Sequence, residues 1–396
     1  MKYNSIVIRY DELGLKKKNR SFFEHKLVHN LKESIKKYAT EQFNYRVIVL
    51  RGRVIIEIDE FTSKIREFVS NLIGVSSFSP AIKIPLDLAK IKDIACLLVK
   101  NELEKEEFKN KNSISFRVTT TRGNKSFELN SMELDRAVAE HVLPLFDKLT
   151  VDLTNAQLVL GIDIRESAYI FLEKFEGQRG LPVGTSSKML SLLSGGIDSP
   201  VASYFMMRRG AKIDFINFYS PPYIGEDSKG KVIELARILN KFQIRAKVYI
   251  VNFSEIQIAI KLNCDERYRT VLYRRAMMKI ASKLAYKKRY AALITGEALG
   301  QVASQTIENM ISIENASEKT ILRPLIAYEK LDLVNIAKKI GTYETSILPY
   351  PDSCTVFSPL KPATITKVYF CEKEEKKINY DALITKALES IEVVLI

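Results

Sequence analysis

The sequence predicts two fold classes in one chain: a mixed α+β part over residues 1–176, then a doubly wound α/β part over 177–396. Three observations carry this prediction. The chain has 396 residues, more than one ordinary domain holds, and its 46% hydrophobic content is ample for packed cores. Gly177-Gln178-Arg179-Gly180-Leu181-Pro182-Val183-Gly184-Thr185-Ser186 is rich in glycine and reads as a linker. Before it strands and helices run β-α-β-β-α; beyond it they alternate, as in a parallel sheet with helical crossovers.

In order, Ser5 to Tyr10 reads as a strand and Leu15 to Arg20 as a polar turn. Ser21 to Tyr38 reads as a helix, and Tyr45–Leu50 and Val54–Ile58 as strands joined by Arg51-Gly52-Arg53. A helix over Phe61 to Leu72 follows, and the order suggests a small ferredoxin-like unit over residues 1–66. Residues 67–176 form a second unit with a strand over Ser113 to Thr120. Asn130, with Glu133 three residues on, forms a capping box. Leu134, Val138, Val142 and Leu145 form the apolar stripe of the helix it opens, with His141 beside them as a structural histidine. Between strand and helix, Arg122, Asn124 and Lys125 concentrate hydrogen-bond donors in one turn, which suits phosphate or ribose recognition.

Beyond the linker, strands read at Met189–Leu193, Lys212–Tyr219, Ala246–Phe253 and Ala291–Gly296. Helices read at Pro200–Arg209, Asp227–Phe242, Arg267–Tyr286 and Glu329–Ile340. The first strand runs straight into Ser194-Gly195-Gly196-Ile197-Asp198-Ser199. Here Ser199 is expected as N-cap, Pro200 as the first helical residue and Gly210 as the stop. A strand, a glycine turn and a helix N-terminus gather free N–H groups at a positive dipole end, an anion site that suits a pyrophosphate. No G-x-x-x-x-G-K-[ST] occurs, and no G-x-G-x-x-G follows this strand.

Net charge is +14, distributed as +7 over residues 1–66, −3 over 67–176 and +10 over 177–396, a balance that suits a polyanionic partner. Cys96, Cys264, Cys354 and Cys371 are too scattered for a disulfide framework. No 18-residue uncharged apolar stretch exists, and the first residues lack a signal-peptide core, so a soluble, cytoplasmic protein without a membrane partner is expected.

The six-residue loop resembles the signature of the PP-loop ATP pyrophosphatases, which split ATP into AMP and pyrophosphate. Gly184 to Ala202, Thr295 to Thr306, Leu322-Arg323-Pro324-Leu325-Ile326 and Tyr350-Pro351-Asp352-Ser353-Cys354-Thr355-Val356-Phe357 are together similar to ThiI. This is the family of tRNA 4-thiouridine synthetases, or tRNA sulfurtransferases. Ser77-Phe78-Ser79-Pro80-Ala81 and Asn124-Lys125-Ser126-Phe127 resemble its THUMP domain. The resemblance implies a ferredoxin-like domain, a THUMP domain and a PP-loop domain, acting as a homodimer on tRNA. It also implies ATP and Mg²⁺, and activation of uridine 8 at C4, with sulfur then displacing AMP. Some members also supply sulfur for the thiazole of thiamine, a role tied to a rhodanese domain.

Position by position, the resemblance places the nucleotide against Leu192, Leu193, Ser194, Gly195, Gly196, Asp198, Ser199, Asn217, Phe218, Arg274, Gly296 and Gln305. Arg275, beside Arg274 in the predicted helix, is of the kind that is often only solvated. Asp198 would hold Mg²⁺ or orient the pyrophosphate, and Lys330 would neutralise charge building on the phosphates. Cys354 would take part in sulfur transfer as a thiolate, with Cys264 as a relay partner. The C-terminal rhodanese domain of some bacterial members has no room before Ile396. Sulfur would then come from a cysteine desulfurase, a persulfide carrier or sulfide. Thr270 and Tyr273 lie where some archaeal members carry Cys-x-x-Cys, which leaves an iron–sulfur cluster of that type without two ligands. Competing readings are a small-molecule PP-loop synthetase, which needs no RNA module, another PP-loop tRNA-thiolating enzyme, and an RNA-binding protein with an inactive ATPase, which the intact loop opposes.

Overall fold

A computed structural model describes residues 2–38, 44–353 and 356–396. The chain divides into two compact units, Met1–Gly180 and Leu181–Ile396.

The first unit is built on β1 (Ser5–Arg9), α1 (Arg20–Tyr38), β2 (Tyr45–Leu50), β3 (Arg53–Ile58), α2 (Ser63–Asn71) and β4 (Ser77–Ile84). It continues through α3 (Leu88–Leu103), α4 (Glu106–Lys109), β5 (Ile114–Arg122), α5 (Ser131–Val142) and β6–β9 (Leu149–Val151, Leu158–Ile164, Ala168–Phe171, Phe175–Glu176). One sheet runs β2-β3-β1-β4-β8-β7-β5-β6, with β9 also on β4. The strand β4 serves two neighbours along its length: Ser77 to Ala81 pair with β1, and Ile82 to Ile84 pair with β8. A cut at residue 66 would pass through α2 and detach the strand that completes the ferredoxin-like order. The shared strand explains why residues 1–66 and 67–176 make one unit here. The capping box on α5 is present, and Leu134, Val138 and Val142 are buried. Leu145, expected on the same stripe, lies in a following 3₁₀ turn at Leu143–Leu145 and is 58% exposed. His141 is exposed rather than packed.

The second unit holds β10 (Met189–Leu192), α6 (Asp198–Arg208), β11 (Ile213–Tyr219), α7 (Glu226–Leu239), β12 (Lys247–Asn252), α8 (Ser254–Asn263), α9 (Arg269–Lys288) and β13 (Ala292–Ile294). It ends with α10 (Ile307–Glu314), β14 (Thr320–Leu322), α11 (Lys330–Ile340), α12 (Tyr343–Ser346), α13 (Val368–Glu375), α14 (Tyr380–Glu389) and β15 (Glu392–Leu395). The sheet order is β14-β13-β10-β11-β12-β15, parallel except for β15. Strands advance from β10 to β12 in one direction and continue with β13 and β14 in the other, so the switch point lies between β10 and β13. The helices α6 and α7 cover one face; α8, α9 and α14 cover the other. Ligands of such sheets bind at the carboxyl ends beside the switch point.

No helix among the described residues is long and apolar enough to cross a membrane.

Candidate active site

The loop after β10 departs from the expected capping. Helix α6 begins at Asp198, Ile197 is its N-cap residue, and Pro200 is the third helical residue instead of the first. Ser199 is therefore inside the helix, and its hydroxyl is used across the loop. Its Oγ accepts from Ser194 N–H at 2.9 Å and lies 3.1 Å from Ser194 Oγ. Gly196 N–H donates to Ser194 Oγ at 3.3 Å. Two serine hydroxyls thus tie the turn together, a use that capping rules do not anticipate. Helix α6 does end as expected, with Gly210 at φ +85°.

Gly296, two residues past β13, faces this loop across the switch point. A Cβ there would lie 2.7 Å from Ser199 N and 2.8 Å from the Asp198 carbonyl carbon. Only glycine lets the end of β13 approach the start of α6 this closely.

These elements enclose a cavity of about 250 Å³. Leu192, Leu193, Ser194, Gly196, Asp198, Ser199, Asn217, Phe218, Arg274, Gly296 and Gln305 all line it, joined by Ile216, Met277, Met278, Thr295, Glu297, Asp352 and Ser353. Gly195 lies beneath, and its N–H donates to Asp352 Oδ1 at 2.8 Å. Asn217 Nδ2 donates to Leu193 O at 2.8 Å, fixing the end of β11 against that of β10. The Phe218 ring meets Phe253 edge-on at 5.3 Å, so one wall is apolar and rigid. Arg274 Nε and Gln305 Oε1 are buried and make no hydrogen bond among the described residues, which leaves polar atoms at the wall for a ligand.

Asp198 is held on both sides. Lys330 Nζ donates to Oδ1 at 2.6 Å, and Gln301 Nε2 donates to Oδ2 at 3.1 Å. Lys330 is the first residue of α11, which brings its ammonium to the carboxylate at the start of α6. An exposed pair of this kind adds little stability.

Arg274 Nη1 donates to Glu297 Oε1 at 2.9 Å, and Arg323 Nε donates to Oε2 at 2.8 Å. Glu297 is 1% exposed and also accepts from Thr295 Oγ1, so one buried carboxylate orients two arginines. Arg275, next in sequence, points the other way. It is 1% exposed and forks onto Glu375, with Nε to Oε1 at 2.6 Å and Nη2 to Oε2 at 3.1 Å. It is a buried structural residue, not a solvated one. Glu297, Asp352 and Lys231 were not singled out in the sequence, although the first two lie inside motifs that were.

The chain matches known proteins over nearly its whole length. The model for the thiamine biosynthesis protein (ThiI) matches residues 184–380, the ThiI ferredoxin-like domain 5–79 and the THUMP domain 91–173. A "probable tRNA sulfurtransferase" of Thermoanaerobacter sp. (strain X514) is 40% identical over 386 residues, covering 98% of each chain. The chain belongs to the ThiI family. Another such relative, from Bacillus pumilus (strain SAFR-032), is 39% identical and covers 100% of this chain and 96% of its own. A 4-thiouridine synthetase solved as an RNA complex with bound ATP is 36% identical, with a TM-score of 0.89 and all of both chains covered. PH1313 from Pyrococcus horikoshii OT3, at 24% identity and TM-score 0.66, covers 85% of this chain and shares its fold. As a ThiI-family member the protein is a tRNA sulfurtransferase enzyme.

Of the ThiI-type sulfur residues, Cys354 lies outside the described residues. Cys264 is the C-cap of α8, half-buried, with Sγ 3.5 Å from Glu374 O. Burial, reinforced by Glu374, pushes its thiol up to about 11, the opposite of what a nucleophilic relay needs. Cys371 is fully buried and Cys96 half-buried, and burial raises both thiols.

In the first unit, the turn expected to contact RNA spends much of its donor supply on itself. Arg122 Nη1 donates to Phe127 O at 3.2 Å and Leu129 O at 2.7 Å, while Asn124 Oδ1 accepts from Ser126 N–H and Oγ. Lys125 remains exposed at the tip.

Proposed function

We propose that this protein converts uridine 8 of tRNA to 4-thiouridine in two stages on the cavity above the glycine loop. The observation that supports it most is the convergence of the loop's backbone donors, the Asp198–Lys330 pair and Arg274 on one apolar-walled pocket at the switch point. Adenine and ribose lie against Leu192, Leu193, Phe218 and Asn217, with Gln305 and Arg274 supplying polar contacts. The β- and γ-phosphates lie at the positive end of α6 and compete for loop N–H groups now held by Ser199 Oγ, Asp352 and Ser194 Oγ. The C4 oxygen of the uridine attacks the α-phosphorus and pyrophosphate leaves. Lys330, already directed at this corner by Asp198, neutralises charge that grows on the phosphates during transfer. The outer sulfur of a Cys354 persulfide then attacks C4, and AMP departs with the former carbonyl oxygen. A second thiol attacks Cys354 Sγ, which breaks the S–S bond, frees 4-thiouridine and leaves a disulfide that an external thiol reduces. The sulfur is supplied by a cysteine desulfurase through a persulfide, and the protein acts as a cytoplasmic homodimer whose N-terminal units hold the tRNA for the partner's cavity.

Asp198 is the residue that would hold Mg²⁺ at this cavity, beside the phosphates of the nucleotide. No group of three or more His, Cys, Asp or Glu side chains that could cage a metal occurs among the described residues, and this ion commonly binds through one or two carboxylates plus substrate phosphates. When bound it offsets phosphate charge.

The deciding experiment is nucleoside mass spectrometry of unmodified tRNA incubated with the protein, ATP, Mg²⁺ and sulfide. Formation of 4-thiouridine is expected, and Cys354→Ala should lose turnover with a persulfide donor. Absence of any tRNA-dependent AMP and pyrophosphate release by the wild type would refute the reading.

A further inference from the structure

Besides Glu297, which is spent on two arginines, the cavity holds a charged group that the adenylation scheme does not use. Asp352 sets its carboxylate over both loop glycines. Gly195 N–H donates to Oδ1 at 2.8 Å, and a Cβ on Gly195 or Gly196 would stand 3.0 Å from Oδ1 or 3.9 Å from Oδ2. The carboxylate therefore sits on one donor, Gly195 N–H, that the loop would present to a phosphate. Loss of water raises its pKa, against the opposing effects of Gly195 N–H and the nearby Lys231 charge.

The fold puts it there. Ser346 Oγ donates to Gly196 O at 3.2 Å, and Lys231 Nζ donates to Leu348 O at 2.9 Å. Ser353 Oγ donates to Phe218 O, and Gln257 Nε2 donates to Ser353 O at 2.8 Å. Residues 346 to 353 are thus strapped to the loop and to the end of β11 at several points. An anion held in this way against an anion cradle has a direct consequence. One N–H serves one strong acceptor, and two anions at that spacing repel.

We propose that Asp352 is an internal competitor for the pyrophosphate site. Its carboxylate and a phosphate oxygen contend for Gly195 N–H, so Asp352 sets how tightly the loop holds the β/γ-phosphates of ATP and how readily it releases pyrophosphate. When part of the protein population has its donor already taken, apparent affinity falls by the competent fraction. The assignment rests on the reading that this cavity binds ATP.

The test is calorimetric titration of the full chain with ATP, inorganic pyrophosphate and AMP, for wild type, Asp352→Ala and Asp352→Asn. ATP is titrated both with Mg²⁺ and with EDTA. The alanine variant should bind ATP and pyrophosphate about 5- to 10-fold more tightly, with AMP unchanged. The asparagine variant keeps the shape but loses the charge and should fall between, which also guards against a folding defect. Weaker ATP binding with Mg²⁺ but not with EDTA would make Asp352 a metal-phosphate ligand and overturn the proposal. Equal loss for ATP and AMP would make it scaffolding, and unchanged affinities in both variants would also overturn it. A wild type that binds AMP but neither ATP nor pyrophosphate removes the competition outright, while one that binds no nucleotide at all removes the ATP reading beneath it.

Discussion

Two turns of this molecule share a plan and differ in use. Each follows a strand, carries glycine, and leads to a helix: residues 193–197 between β10 and α6, and residues 123–130 between β5 and α5. In the first, hydroxyls of Ser194 and Ser199 hold the turn by taking the N–H groups of Gly196 and Ser194, while Gly195 N–H goes to Asp352. In the second, the long side chain of Arg122 does the holding, and Asn124 is absorbed in an Asx-type turn. Short hydroxyl side chains brace a turn through its backbone N–H groups; a long side chain that braces it reaches its carbonyls and is itself consumed. The first turn lines the cavity, and the second leaves Lys125 as its exposed charge.

That contrast breaks most visibly at the reaction centre. Replacing Lys330 with Ala should lower the rate of tRNA-dependent AMP formation about 10²- to 10³-fold, with little change in the tRNA KM. Single-turnover assays with radiolabelled ATP measure it; a loss confined to the tRNA KM would erase the distinction between the turns. Gly296→Ala tests the close approach on the other side of the loop. Its Cβ meets backbone atoms of Ser199 and Asp198, which cannot rotate away. A stability loss of about 1–3 kcal/mol is expected in urea titrations, together with loss of ATP binding.

How much of this was legible beforehand follows from how local each signal is. The loop and the alternation of strands and helices are carried by short stretches and could be read directly, whereas Gly296 and Arg274 come from the family resemblance. The tie from Ser199 Oγ to Ser194 could not, because an N-cap and a loop staple use the same residue at the same place. Asp352 reaches Gly195 across 157 positions, and Lys231 joins them from α7; no spacing rule links them. The joint use of β4 by two halves of one sheet is equally non-local, since a strand's sequence names neither of its neighbours.

Arg274 and Arg275 repeat the comparison inside one helix, since consecutive helical residues point about 100° apart. Removing Arg275 leaves the buried Glu375 with Lys279 as its one ion-pair partner among the described residues, so Arg275→Ala should cost about 3–5 kcal/mol in denaturant unfolding. Arg274→Ala leaves Glu297 with Arg323, and should raise the ATP KM about tenfold while the melting temperature stays nearly constant. Equal destabilisation by both would show that Arg274 is structural too.

The smallest expected effect lies in the second turn. Lys125 has no role in bracing it, so Lys125→Ala should weaken tRNA binding by a few-fold and reduce the slope of log affinity against log salt by about one, with the fold untouched. Arg122→Ala releases two carbonyls that the guanidinium now holds, at Phe127 and Leu129. It should lower stability by about 1–2 kcal/mol and weaken tRNA binding as a consequence of a disordered turn. Filter binding at several salt concentrations separates the two, because loss of a phosphate contact changes the slope and loss of turn geometry lowers affinity at every salt. If Arg122→Ala instead matches Lys125→Ala in slope and leaves stability alone, its guanidinium reaches the RNA as well, and long side chains that brace a turn are not consumed by doing so.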